Sequence, residues 1–248
     1  MVTVSVIIPA FNAEKFIIKT IESVLDQTFK DFEILIINDG STDKTSEIVK
    51  STYHLESRVK VCDLVVNAGV ANARNVGVRK AVGKFIAFCD SDDTWRQDKL
   101  DLQLQLFSNL AIGVRDKLLI GSNVDEIDAN GNFLKSRKTI DVTTVEQIFT
   151  RNYLTLSSIF CLKSSLEEFP FRNIKHEDYD LWIRMIGNGY SFICHPAALT
   201  YYRIHDRSLS SNKLKSVVWH IQAQRFNNVP ILAVIKHLFL NFKSRISK

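Results

Sequence analysis

Short apolar runs alternate with segments of helical periodicity along the first half of the chain. Four runs have the length and composition of buried strands and lie at residues 4–8, 32–37, 59–61 and 85–89. Helices are predicted at 13–25, where apolar residues recur at helical spacing, at 44–49, where Ser41 or Thr42 could cap the helix, at 70–82, which is rich in small residues, and at 96–107. This alternation predicts an α/β fold with a mostly parallel central sheet and helices on both faces, with Pro9 ending the first strand.

The pattern changes after about residue 118. Further strands are predicted at 118–124, 157–162, 192–194 and 199–204, and helices at 144–150 and 177–186. Asn130-Gly131 is a hairpin turn signal. We expect one domain at residues 1–212, with halves at 1–117 and 118–212, followed by a basic, amphipathic helical tail at 213–248.

The composition narrows the class of protein. The chain has 248 residues, 46% of them hydrophobic, which suffices for one sizeable core. Its four cysteines are scattered without a C-x-x-C pair, which favours reduced thiols over a disulfide framework or a zinc site. We see neither a signal-peptide pattern nor an apolar run of membrane-spanning length, so we expect a cytoplasmic location. The net charge of +5 is dispersed, and no nucleic-acid partner is expected.

One apolar run stops abruptly at carboxylates, in the segment FIAFCDSDD at residues 85–93. Ligands of open α/β sheets bind beyond the carboxyl ends of strands, which is where Asp90 and Asp92 would lie. Carboxylates spaced D-x-D can hold a hard divalent ion that also binds substrate phosphates. A polar loop with aspartates as turn residues is the alternative interpretation.

Six segments, in order and at matching spacing, resemble the family 2 glycosyltransferases of the GT-A fold. They are VSVIIPAFN, ILIINDGSTD, NAGVANARNVGV, FIAFCDSDD, HEDYDLWIRM and YRIHDRSLS, and the resemblance covers roughly residues 2–207. It implies a Rossmann-like sheet whose first half, 1–117, binds a nucleotide-sugar and whose second half, 118–212, binds the acceptor.

The resemblance also implies a nucleotide site. Pro9, Ala10 and Phe11 would border the base, with Phe11 stacking on uracil, and the other residues implied are Asp39, Gly69, Arg74, Asp90, Ser91 and Asp92. Asp39 would accept a hydrogen bond from the uracil N–H, Gly69 would let the backbone approach the ligand, and Arg74 would reach the base or phosphate. The alternative roles are core packing for Phe11, a turn or cap for Asp39, and an exposed position on the helix for Arg74.

The same resemblance assigns the metal and the catalytic groups. Asp90 would contact the ribose, and Asp92 would bind Mn²⁺ or Mg²⁺ on the diphosphate, with His205 as a further metal ligand. Asp178 would be the general base and Glu177 would orient the acceptor, which implies a single displacement with inversion at the anomeric carbon. A purely structural role for His205 remains open. Asp93 could support the neighbouring ligand residues or cap the helix that follows it, and we favour the cap.

The segment QAQRF at residues 222–226 approaches the Q-x-x-R-W motif of processive polysaccharide synthases, with Phe226 in place of Trp. Since no membrane-spanning run is evident, we expect a non-processive enzyme that adds one sugar. The tail either packs on the domain or lies on an anionic membrane, at the inner face of the cytoplasmic membrane.

The resulting expectation is a glycosyltransferase that uses a UDP-sugar and an acceptor saccharide, lipid-linked through polyprenyl diphosphate, in bacterial O-antigen or capsule synthesis. The alternative is a catalytically inactive nucleotide-binding or scaffold protein of the same fold. The presence of all the carboxylates that the family uses argues against this alternative.

Overall fold

The computed structural model describes residues 2–205 and 213–246. In the first half of the chain, four parallel strands lie in the order β3-β2-β1-β4. They are β1 (Val4–Ala10), β2 (Phe32–Asn38), β3 (Val59–Asp63) and β4 (Phe85–Phe88). The connecting helices are α1 (Ile17–Leu25), α2 (Thr45–Thr52) and α3 (Val70–Lys80). Since the strand order reverses at β1, the carboxyl ends of β1, β2 and β4 border a crevice of the kind that binds ligands.

The second half continues the same sheet with mixed strand directions. Its strands are β5 (Thr94–Trp95), β6 (Leu118–Ile127), β7 (Phe133–Arg137), β8 (Phe160–Leu162) and β9 (Ser191–Arg203). The strand β8 runs antiparallel between β4 and β6, whereas β9 runs parallel to β6. The remaining helices are α4 (Lys99–Asn109), α5 (Ile112–Arg115), α6 (Val145–Thr150), α7 (Lys163–Glu168), α8 (Glu177–Gly187), α9 (Lys213–Phe226) and α10 (Ile231–Ile246), with a 3₁₀ turn at Leu156–Ser158.

Apolar cores lie on the two faces of the sheet. Alternate residues of β1 point to opposite faces, so Val6 joins a core with α1 whereas Ile7 joins a core with α3 and α8. The helix α3 approaches β1 closely at Gly77, where an added Cβ would lie 2.5 Å from Ile7 Cγ2. Glycine at this position therefore sets how closely α3 packs on the sheet.

The predicted fold class, with helices on both faces and a helical C-terminal segment, is confirmed. Several predicted bounds are wrong. Strand β1 continues through Pro9, which is paired with Ile37 of β2, and the strands predicted at 192–194 and 199–204 form one strand, β9. The strand predicted at 157–162 begins only after the 3₁₀ turn, and the tail consists of two helices.

Other expectations concern the chemistry of the chain. The four cysteines are free. Among the described residues, no helix is long and apolar enough to cross a membrane. The domain bounds at 212 and 248, and residues 206–210 of the last family-like segment, lie outside the described residues.

Candidate active site

The end of β1 and the loop after it form one wall of the crevice. Pro9 and Ala10 are buried within the strand, paired with Ile37 and Asn38 of β2, whereas the side chain of Phe11 is 48% exposed. A large aromatic ring left half-exposed beside a strand end is available for stacking on a flat ligand. Because its ring is half-exposed, Phe11 is not a core residue, and the alternative role of core packing is wrong for it.

Asp39 follows β2 and holds the loop that precedes α3. Its two carboxylate oxygens accept hydrogen bonds from the backbone N–H groups of Ala68 (2.9 Å) and Gly69 (2.8 Å), and the residue is buried. Gly69 has a φ of 91°, in the left-handed region that favours glycine. Asp39 therefore fixes the position of Gly69 at the start of α3.

Arg74 of α3 connects the two halves of the chain. Its buried guanidinium forms an ion pair with Asp90 (2.8 Å) after β4 and another with Glu177 at the start of α8. The ring of Phe171 lies 5.5 Å from the guanidinium carbon. Arg74 is therefore an interior residue, and the helix-surface alternative is wrong for it. These contacts bring together three predicted site residues that are distant in sequence.

The D-x-D segment is packed against the end of β9. His205 Nε2 lies 2.9 Å from Asp92 Oδ2. Burial and the neighbouring Asp90 raise the pKa of Asp92, and the hydrogen bond with His205 opposes this rise. Between Asp90 and Asp92, the backbone carbonyl of Ser91 accepts a hydrogen bond from the Thr20 hydroxyl (3.0 Å), which ties the segment to α1.

Asp93 is fully buried, and the prediction that it caps the next helix is wrong. It accepts a hydrogen bond from the backbone N–H of Arg203 (2.8 Å), while Arg203 Nε donates to the backbone carbonyl of Asp92 (2.7 Å). Burial, Asp92 and Asp90 raise the pKa of Asp93 well above its ordinary value. Sequence reasoning missed Arg203, although it stands in the YRIH segment next to the predicted ligand His205.

Asp178 lies in the first turn of α8 and is partly buried. Its Oδ1 accepts a hydrogen bond from the backbone N–H of Tyr179 (2.7 Å). Burial, and then Glu177, raise the pKa of Asp178 to about 7, although Arg74 opposes the rise. A carboxylate with a pKa near neutrality can take up a proton from a hydroxyl group and release it again at physiological pH. His176, which immediately precedes α8, has a φ of 57°.

The donor groups near Asp92 fit a divalent ion in part. Within the described residues, no group of three or more His, Cys, Asp or Glu side chains is arranged to hold a metal. Asp92 and His205 nevertheless offer a carboxylate oxygen and an imidazole nitrogen at hydrogen-bond distance from each other. Since Mg²⁺ sites often use one or two protein ligands with substrate phosphates and water, this pair fits a metal that is completed by a diphosphate.

Comparisons with known proteins place the chain among glycosyltransferases. The sequence model described as "Glycosyl transferase family 2" matches residues 5–153. An uncharacterized glycosyltransferase of Haemophilus influenzae is 34% identical over 88% of this chain and 86% of its own length. The UDP-Glc:alpha-D-GlcNAc-diphosphoundecaprenol beta-1,3-glucosyltransferase WfgD of Escherichia coli is 32% identical over 86% of this chain and 82% of its own length. A putative teichuronic acid biosynthesis glycosyltransferase of Bacillus subtilis, TuaG, is 30% identical over 86% and 83%.

Solved structures share the fold. The crystal structure of S. aureus TarS in complex with UDP-GlcNAc superposes with a TM-score of 0.72, at 21% identity, over 99% of this chain and 73% of TarS. This likeness confirms the GT-A expectation for the fold.

Proposed function

The chain belongs to glycosyltransferase family 2, and we propose that it transfers one sugar from a UDP-sugar to an acceptor hydroxyl, non-processively and with inversion at the anomeric carbon. The observation that carries this proposal is the link through Arg74 between a strand-end carboxylate, Asp90, and the carboxylate pair Glu177-Asp178. A donor-side group and a group suited to act as a base are thereby held in one site.

We assign the donor to the crevice within residues 1–117. Pro9, Ala10 and Phe11 would border the base, and Asp39 and Gly69 would meet its edge. Arg74, which is paired with Asp90, would lie on the ribose and phosphate side together with Asp90, Ser91 and Asp92. The complex of TarS with UDP-GlcNAc supports a UDP-sugar as the donor.

We assign the base of the transfer to Asp178. Its carboxylate takes the proton of the acceptor hydroxyl as that oxygen forms a bond to the anomeric carbon, and the bond from this carbon to the diphosphate oxygen breaks, releasing UDP. Glu177, fixed by Arg74, orients the acceptor. Mn²⁺ or Mg²⁺, held by Asp92 and His205, would neutralise charge on the leaving diphosphate. Attack by a single oxygen opposite the leaving group inverts the anomeric configuration.

We assign the acceptor to the half at 118–212 and propose that it is a polyprenyl-diphosphate-linked saccharide of bacterial surface polysaccharide synthesis. The names of WfgD and TuaG, which refer to a diphosphoundecaprenol acceptor and to teichuronic acid, support this class. It follows that the enzyme acts at the inner face of the cytoplasmic membrane.

The tail at 213–248 supports a peripheral membrane contact. It contains seven Lys and Arg residues and no Asp or Glu. On α10, Leu232, Ile235 and Phe239 are 78%, 56% and 65% exposed, whereas Val234 and Asn241 face the domain. An exposed apolar stripe among basic residues suits an anionic lipid surface.

The donor half is tested by thermal unfolding with UDP, GDP, dTDP, UDP-glucose and UDP-GlcNAc, each with and without Mn²⁺. A ligand that binds the folded state raises its apparent stability. We expect a Mn²⁺-dependent rise with UDP compounds alone, and a smaller rise in the Asp92→Asn variant. The best donor is then incubated with GlcNAc-diphosphoundecaprenol. Binding of UDP without transfer to any acceptor would favour the inactive nucleotide-binding alternative, and no binding of any nucleotide would contradict the proposal.

A further inference from the structure

The C-terminal helix α9 contacts the residues on both sides of the carboxylate pair Glu177-Asp178. The ring of Trp219 packs edge-on against the ring of His176, with centroids 5.5 Å apart. Asn227 Nδ2, in the turn after α9, donates a hydrogen bond to Asp180 Oδ1 (2.8 Å). The first turn of α8 is thus held before and after the two residues that we assign to the acceptor reaction.

Two side chains of α9 contact the hydroxyl of Tyr179. Gln224 Nε2 donates a hydrogen bond to this hydroxyl (3.0 Å), and His220 Nε2 lies 3.1 Å from it, with the His220 ring stacked on the Tyr179 ring at 4.2 Å. The hydroxyl also donates to the Ile148 carbonyl oxygen (3.2 Å). Since Tyr179 and Gln224 have no exposed surface, water cannot replace these partners.

The helix α10 extends this network from the other side. His237 lies with Nδ1 3.0 Å from Gln224 Oε1, and its ring stacks on Phe149 at 5.0 Å. Gln224 therefore has partners for its amide nitrogen in α8 and for its amide oxygen in α10. Its side chain is fixed at both ends.

A displacement of Tyr179 acts directly on the neighbouring carboxylate. The backbone N–H of Tyr179 is the donor to Asp178 Oδ1 at 2.7 Å. If the Tyr179 side chain lost its partners, the first turn of α8 would loosen and this hydrogen bond would weaken. Catalytic geometry tolerates such displacement poorly, since a misplacement of about 1 Å can cost ~100-fold in rate.

We propose that Tyr179, His220 and Gln224 are positioning residues, through which the C-terminal helices hold Asp178 in place for the transfer. This inference rests on the proposed function of Asp178. It gives the tail a role in the site that is independent of its contact with a membrane: the inner face of the tail fixes the base helix, whereas the outer face carries the exposed apolar stripe.

The test compares Tyr179→Phe and Gln224→Ala with Gln222→Ala. Gln222 lies on the same helix but is exposed, so its removal is the matched control. For the two network variants we expect kcat to fall by about tenfold or more, with the KM of the UDP-sugar and the Mn²⁺-dependent stabilisation by UDP unchanged. We expect the control to behave like the unmodified protein.

The pH profile distinguishes positioning from a loss of folded protein. Burial raises the pKa of Asp178, so entry of water around a loosened α8 should lower this pKa and move the acid limb of the kcat/KM profile to lower pH. Amide hydrogen exchange needs no substrate, and it should accelerate at residues 177–181 in the network variants.

Two results would overturn the proposal. One is unchanged kcat and unchanged exchange in Tyr179→Phe and Gln224→Ala. The other is a fall in activity that only follows the loss of folded protein, with the acid limb and the exchange of residues 177–181 unchanged. Failure of the proposed function has a different signature, since Asp178→Asn would then transfer sugar as well as the unmodified chain.

Discussion

The two carboxylate pairs of the site, Asp90 with Asp92 and Glu177 with Asp178, are held in different ways. The first pair follows β4, and the backbone of its segment is fixed by neighbouring main-chain and hydroxyl groups, as in the bond from Asp90 N–H to Ser157 Oγ (2.9 Å). The second pair begins a helix and depends on side chains from distant parts of the chain, including Arg74 and the C-terminal helices. The backbone of the proposed donor side is thus fixed where it leaves the sheet, whereas the proposed acceptor side is held through side chains of α3 and of the C-terminal helices.

The electrostatic surroundings of the two pairs differ as well. Asp92 has the imidazole of His205 as its partner, and burial and then Asp90 raise the pKa of Asp92. A divalent cation bound to Asp92 would relieve the repulsion between the carboxylates of Asp90 and Asp92. Asp178 instead has its pKa raised to about 7 by burial and Glu177, with Arg74 restraining the rise. The first arrangement suits a cation and a diphosphate, and the second suits a group that accepts a proton.

The largest expected effect comes from removing the proposed base. Asp178→Asn preserves the shape of the side chain but cannot accept the acceptor proton, and we expect kcat to fall by about 10²–10⁴-fold. Nucleotide binding should persist, because the donor side is held by other elements. Transfer assays and UDP-induced stabilisation measure the two sides separately. Equal loss of both would show that the two pairs do not act independently.

The next effect concerns the donor side. Asp92→Asn should remove most of the Mn²⁺-dependent part of UDP binding and of transfer, while leaving the UDP-independent stability near that of the unmodified protein. A Mn²⁺ titration of the stabilisation by UDP measures how far UDP binding still depends on Mn²⁺. An unchanged Mn²⁺ response would exclude Asp92 as a metal ligand.

Arg74 joins the two pairs, so its substitution should affect both. Arg74→Met leaves Glu177 and Asp90 without their buried cation, and we expect a loss of a few kcal/mol in the free energy of unfolding, less than the ~3–5 kcal/mol for fully buried pairs because Asp90 is partly exposed. Since Arg74 lowers the pKa of Asp178, its removal should raise that pKa and move the acid limb of kcat/KM above about pH 7.

Arg74→Lys is the matched variant. It keeps the positive charge but not the forked donors, so the acid limb should stay closer to that of the unmodified chain. We expect the acid limb of the kcat/KM profile to move to higher pH after loss of Arg74 and to lower pH after loss of the hydrogen bonds around Tyr179. If both substitutions moved it in the same direction, the assignment of the limb to Asp178 would be wrong.

The smallest effect on activity is expected at Lys99, which is fully buried behind the donor side and bonded to Gln103 Oε1 (2.7 Å). Burial lowers its pKa from 10.5 to about 7. The folded state therefore binds fewer protons than the unfolded chain between these values, and stability should rise with pH through that range. Lys99→Met should remove this rise and leave transfer nearly unchanged, with the exposed Lys84→Met as control. Denaturant unfolding at pH 6.5 and 9 measures this pH dependence, and an unchanged pH dependence in Lys99→Met would contradict the lowered pKa of Lys99.

The same difference between the two regions decides what could be read from the sequence. The strand ends carrying Asp39, Asp90 and Asp92 follow from local apolar runs, because a parallel sheet brings the carboxyl ends of its strands together. The pairing of Arg74 with Glu177 joins residues that are 103 positions apart, and no local pattern encodes it. The strands predicted separately at 192–194 and 199–204 are one, because pairing with β6 continues between them after shifts in register.

Two further misses have physical causes. Aspartate is a common helix-capping residue. In the folded chain, however, Asp93 is buried, and its carboxylate accepts a hydrogen bond from the backbone N–H of Arg203. Gln224 lies in a segment that resembles a synthase motif through Gln222, whereas the buried glutamine, which binds Tyr179, is two positions later. Periodicity alone could not distinguish the inner face of α9 from its outer face, because both carry apolar and polar residues.

The central claim is that Asp178 assists a single displacement on a UDP-sugar, and the anomeric configuration of the product tests it most directly. The product formed from α-linked UDP-glucose or UDP-GlcNAc on a diphospholipid-linked saccharide should be examined by NMR, with Asp178→Asn as the control. We predict a β-linked sugar that the variant does not form. An α-linked product, or a β-linked product formed equally well by the variant, would contradict this mechanism.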